Sequence, residues 1–170
     1  MSTIGAQQTS PGFLLEWIDR RPARVRTRTN YCLFLVRVIT LPMFMVSIRN
    51  GQLVKMDIRL FVPTETGQNG ELTFREVDSA QLPSYIHCPG FQRFHRVSDT
   101  CGLIHCDDFW FSWPGTFKLE ISLYLEGSGC FLGRCILAPF EVTMSRERGN
   151  MELLSSWDVT YDLRAICFTS

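Results

Sequence analysis

The chain has 170 residues, 45% of them hydrophobic and 20% charged, and its 17 basic and 17 acidic side chains cancel to a formal net charge of zero. This balance predicts one domain with a sizeable core and excludes a largely disordered chain, a polycation and a polyacid. No apolar run reaches the roughly 20 residues that cross a bilayer as a helix, so no membrane partner is expected.

The first ten residues carry neither the basic start nor the apolar stretch of a secretory signal. Residues 1–12 read as a short disordered leader, 13–170 as the domain, and an intracellular setting follows as the expectation. Seven cysteines at irregular spacing then read as reduced thiols, mostly buried as small apolar side chains.

Residues 13–19 give a short apolar strand signal, and the densest positive charge of the chain follows it directly. Arg20, Arg21, Arg24, Arg26 and Arg28 fall within nine residues. In an extended segment Arg24, Arg26 and Arg28 alternate and aim to one side, while Pro22 fixes the local φ. A guanidinium presents a planar donor fork suited to phosphate and to guanine edges, and phosphate contacts supply most non-specific DNA affinity. These five arginines are the candidate DNA contacts, although a solvated edge segment or a nuclear-import signal would carry the same charges.

Residues 31–39 are a β-branched and aromatic run, expected as a central strand buried on both faces. Asn50-Gly51 between the apolar runs 43–48 and 53–62 predicts a hairpin, since both turn positions of the favoured type need positive φ. Met56, Ile58, Leu60 and Val62 define one face of its second arm. Residues 72–77 read as an edge strand. From 78 to 108 periodicity is lost, which predicts a long loop of the functional or mobile kind. That stretch holds His87, Cys88, Cys101, His105, Cys106, Asp107 and Asp108, but the intervals are ragged and no C-x-x-C occurs, so neither a metal nor another cofactor is expected.

Alternation within 109–113 assigns Phe109, Phe111 and Trp113 to the core and leaves Trp110 opposite, as an exposed aromatic for a protein interface. Residues 116–126 alternate most clearly, with Phe117, Leu119, Ile121, Leu123 and Leu125 on one face: a half-buried antiparallel strand. Strands are expected over 130–137 and 140–143, a short helix within 145–156 and a last strand over 159–168. Cys130 and Cys135 flank a turn and could meet across a hairpin, but a reducing compartment would keep them apart. Many short strands at turn-punctuated spacing predict an all-β sandwich. With three histidines in one loop-like region and no nucleophile elbow, no enzyme and no small-molecule substrate are expected.

The order of three blocks resembles the velvet family of fungal regulators. FLLEWIDRRPARVR (13–26) is similar to the family's opening strand and Ala/Arg run. FWFSWPGTFKLEISLY (109–124) is similar to its aromatic strand, turn and following strand. APFEV (138–142), with the expected helix and last strand, resembles its closing elements. After Arg28, Thr29-Asn30-Tyr31 and an apolar run stand where the family has an acidic, proline-rich segment. The resemblance implies an immunoglobulin/Rel-like β-sandwich that binds double-stranded DNA as a homodimer or as a heterodimer with another velvet-type protein. It implies a regulator of fungal development, sporulation and secondary metabolism, held in the nucleus with a cytoplasmic pool. Two other readings of the residues stand beside it: a β-sandwich dimer partner without DNA binding of its own, and a sandwich that binds lipid or carbohydrate in an aromatic groove.

Overall fold

In the computed structural model, thirteen strands and two single helical turns organise the described residues, 4–66 and 70–144. The strands are β1 (Ile4–Thr9), β2 (Phe13–Asp19), β3 (Val25–Arg26), β4 (Phe34–Thr40), β5 (Leu53–Thr66), β6 (Leu72–Glu76), β7 (Ile86–His87), β8 (Phe91–Arg96), β9 (Cys101–Cys106), β10 (Trp110–Phe111), β11 (Gly115–Leu125), β12 (Phe131–Leu137) and β13 (Phe140–Thr143). The helical turns are α1 (Pro42–Met45) and α2 (Leu82–Tyr85). The class is all-β, as expected. Among the described residues no helix is long and apolar enough to cross a membrane.

Eleven strands form one sheet in the order β1-β12-β11-β5-β8-β9-β4-β2, with β6 on β5, β13 on β11 and β3 on β13; β7 and β10 make a separate ribbon. The long strand β5 is its spine. One edge of β5 pairs with β11 from Val54 to Phe61. Its other edge pairs with β8 at Leu53 to Lys55 and with β6 from Phe61 onwards. β1 and β2, at the two ends of the path, lie beside each other, so the sheet curls around a shared core.

The periodic segments explain that core. In β11, Phe117, Leu119, Ile121, Leu123 and Leu125 are all buried, the face that alternation assigns. In β5, Met56, Leu60 and Val62 join them, with Ile58 packed at the margin. The apolar run of 31–39 becomes β4, central between β2 and β9, where Phe34, Leu35, Val36 and Val38 are sealed from solvent. Trp17 of β2 meets Phe34 edge to face at 6.1 Å, a favoured aromatic geometry.

Three segments depart from the sequence expectation. Part of the anticipated leader is structured: Ile4–Thr9 is β1, paired antiparallel with β12. A polar segment of this kind is legible as a strand only once the unpaired edge of β12 is in place to satisfy its backbone. The 43–62 hairpin does not form. Pro42 stands at the start of α1, where its fixed φ and missing N–H suit a helical first turn. Asn50-Gly51 does turn the chain, with Gly51 at φ +82°, but its N–H donates to the Phe94 carbonyl of β8 at 2.7 Å rather than closing a hairpin. Arg96 holds the α1 segment by donating to the carbonyl oxygens of Met45, at 2.7 Å, and Ile48. Finally, 78–108 is no long loop, for it contains β7, β8 and β9. β9 is buried on nearly every residue and β8 turns only Phe94 inward, so neither strand writes a period-two pattern. The helix within 145–156 and the strand over 159–168 lie outside the described residues.

Gly102 shows how tightly β8 and β9 are set. A Cβ there would stand 2.0, 2.5 and 2.8 Å from three ring atoms of the fully buried Phe94. Gly102→Ala should lower the unfolding free energy by about 1–3 kcal/mol in urea titration, the range of an overpacked core. Gly90→Ala, where a Cβ meets nothing within 4 Å, should change it by less than about 0.5 kcal/mol.

Candidate nucleic-acid interface

The arginine segment leaves β2 and runs along β13 and the 109–111 stretch. β3 pairs parallel with β13, matching Val25 to Val142 and Arg26 to Thr143. The Thr27 N–H donates to the Thr143 carbonyl at 2.9 Å, and the Arg28 and Tyr31 N–H groups donate to the Phe111 and Phe109 carbonyls, each at 2.8 Å. The Arg26 N–H donates to the Tyr31 hydroxyl at 3.0 Å. This bonding fixes the segment, with a bend at Ala23–Arg24, a strand at Val25–Arg26 and a turn at Thr27–Arg28, and burial alternates along it: Val25, Thr27 and Thr29 are buried, Arg24 and Arg28 exposed and Arg26 half-buried. Arg24, Arg26 and Arg28 thus occupy the less buried positions, although the backbone is a strand only at Val25–Arg26. Between β3 and β13 lies a cleft of about 410 Å³ lined by Ala23, Arg24, Arg26, Glu141, Thr143 and Met144.

The other two arginines have different surroundings. Arg21 folds back on Asp19: its Nε and Nη2 donate to the two carboxylate oxygens at 3.1 and 3.0 Å, and its backbone N–H adds a third bond at 2.9 Å. The guanidinium lies 4.9 Å from the centre of the Phe140 ring, and its side chain is only 7% exposed. A bidentate pair stacked on an aromatic is a structural use of arginine, and it takes Arg21 away from the outward set. Arg20 is half-buried; its N–H donates to the Leu33 carbonyl at 3.0 Å, and its charge reaches the Cys32 thiol.

Arg28 adopts φ +58°, a left-handed conformation that costs a residue with a side chain about 1 kcal/mol or more. Glycine would fit more easily there.

Trp110 is half-buried in the β7–β10 ribbon, its ring 5.4 Å from that of His87. Phe109 and Phe111 are core residues as expected, but Trp113 is 59% exposed. The strand ends at Phe111, so alternation does not carry on to Trp113, and the indole assigned to the core is the one on the surface. Among the described residues no three His, Cys, Asp or Glu side chains gather as a metal site. His105 instead packs against His95, ring centres 5.4 Å apart, and burial lowers its pKa. Cys130 and Cys135 do not face each other across a hairpin; Cys130 precedes β12 and Cys135 lies within it. Burial, and after it the charge of Asp107, pushes the Cys32 thiol up to about 12; burial does the same to Cys135. Neither thiol is a nucleophile near neutral pH.

No family model matches the chain, and no curated protein matches it. Among solved structures it is similar to the X-ray structure of Northeast Structural Genomics Consortium target SoR45, at 13% identity over 85% of this chain and 94% of that one, with a TM-score of 0.25. A likeness of that size carries no argument about fold or function.

The two kinds of arginine separate by stability. Arg21→Ala should cost about 1.5–3 kcal/mol, since it strips charge-assisted hydrogen bonds from Asp19 and uncovers Phe140. Arg24→Ala and Arg28→Ala should each stay within about 0.5 kcal/mol of the parent in the same denaturant titration.

Proposed function

We propose that the chain is a DNA-binding regulator of velvet type, a Rel-like β-sandwich that acts as a homodimer or velvet-type heterodimer in fungal development and secondary metabolism, in the nucleus with a cytoplasmic pool. The observation that carries the DNA reading is the outward file of Arg24, Arg26 and Arg28 on a backbone laced to β13 and to 109–111. A positively charged edge held in this way meets phosphates without first being ordered, which preserves affinity. Two halves of one curled sheet that share a core support the sandwich. The family name rests on the three sequence blocks.

The rival reading, a dimer partner with no DNA binding of its own, draws on the zero net charge and on the internal use of Arg21. Salt dependence separates the two. Fluorescence anisotropy with a mixed duplex pool should show binding that weakens linearly in log–log form with salt. Arg24→Ala/Arg26→Ala/Arg28→Ala should flatten that slope by about 0.9 for each phosphate the variant no longer neutralises. Absence of binding at low salt by the folded protein would leave the dimer-partner reading standing.

A further inference from the structure

β6 is an edge strand. It pairs with β5 on one side and with no other strand among the described residues, and Leu72, Thr73, Arg75 and Glu76 are all exposed. Its backbone polarity follows from two bonds. The Val77 N–H donates to the Leu60 carbonyl at 2.8 Å, and the Thr73 carbonyl accepts from the Thr64 hydroxyl at 3.2 Å, so both residues direct their backbone groups towards β5. Alternate residues of a strand share a direction, which turns the N–H and C=O of Leu72, Phe74 and Glu76 outwards. Opposite Phe74 on β5 stands Pro63, which has no N–H to offer.

The geometry points to a second copy of this chain as the strand that completes this edge, in one two-fold antiparallel register centred on Thr73. Outward-directed residues must face each other across the new ladder, which requires an axis centred on a residue rather than between two. Centring on Thr73 sets Leu72 opposite the partner's Phe74 and Phe74 opposite the partner's Leu72, both as hydrogen-bonded pairs. It also sets Glu71 opposite the partner's Arg75, and the converse, in the closely spaced pairs where side chains approach best. Of the residue-centred registers it alone joins these opposite charges. Neither Glu71 nor Arg75 makes a described hydrogen bond or ion pair within its own chain, and both are exposed.

On one face of this junction Leu72, 50% exposed, would extend the patch formed by Phe74 and Phe61 under the Lys118 ammonium, which lies 5.9 and 5.7 Å from the two ring centres. On the other face the two Thr73 side chains meet at the axis. The contact is isologous, so it closes at two copies and builds no fibre. A ladder of five residues per copy is small, which places the dimer in the micromolar range rather than among obligate pairs. The proposal assigns a surface to the self-association named under Proposed function. Its test contains no DNA, so either reading can fail alone.

Sedimentation equilibrium of the full chain should show a concentration-dependent monomer–dimer exchange. Arg75→Glu and Glu71→Arg should each weaken it at least about tenfold, because each turns two attractive pairs into repulsive ones. An equimolar mixture of these two variants, or the double variant Glu71→Arg/Arg75→Glu, should recover dimer at the parental strength, while circular dichroism confirms that every variant is folded. A monomeric parent chain overturns the proposal. So does a dimer indifferent to either reversal, or one lost on reversal and not recovered in the mixture and in the double variant.

Discussion

The ladder between β5 and β11, eight matched residues from Val54 opposite Leu125 to Phe61 opposite Lys118, is the constraint on which the rest of the molecule depends. Its inner side sets Met56 and Leu60 against Leu119, Ile121 and Leu123, so hydrogen bonding and apolar burial reinforce the same register. A slip of one residue would turn all of these side chains to the other face. On the outer side Arg59 donates to Glu120 of β11 at 2.6 Å and to both carboxylate oxygens of Glu76 on β6 at 2.7 and 2.9 Å, and Arg134 of β12 stands 3.6 Å from Glu120. Four adjacent strands are thereby joined by one string of charges. Glu120 is buried under this string, which satisfies a carboxylate that would otherwise be costly to enclose.

The candidate interface lies at a distance from that spine, where the chain has few strand pairs and relies on individual bonds. β3 is two residues long and gains its place from β13, from the Thr27–Thr143 bond and from the carbonyls of Phe109 and Phe111. β13 is in turn fixed by β11. The orientation of Arg24 and Arg26 thus passes through two short strands to the same ladder. Arg21 contributes from beneath, stacked on Phe140 of β13 and clamped to Asp19 at the end of β2, so one arginine of the cluster positions the backbone that presents the others. Local charge density and local structure are produced by the same residue type in two roles.

The edge at β6 is the counterpart of this arrangement. Part of the sheet's margin is used internally, since β13, itself paired with β11, takes β3 as its neighbour. Among the described residues no strand covers the outer side of β6, where apolar and oppositely charged residues stand in self-complementary order, unlike an edge guarded by like charges or proline.

The sequence by itself determined the all-β class, the inward faces of β5 and β11, the central place of β4, the edge character of β6 and the alternation of Arg24, Arg26 and Arg28. Each of these is a property of a single segment, either alternation at period two or a run of one residue class, and a one-dimensional pattern carries it. Tertiary structure alone decided the rest. β8 and β9 are hidden in a stretch without periodicity because burial on both faces, or on one residue only, leaves no alternation to read. β1 forms because β12 offers it an edge, and the Asn50-Gly51 turn serves β8 because Pro42 starts a helical turn where the pattern predicts a hairpin arm. Arg21 is withdrawn from the cluster by Phe140, more than a hundred residues away in the chain, and the exposure of Trp113 depends on where β10 stops pairing with β7. These outcomes follow from partners distant in sequence, and no local window contains them.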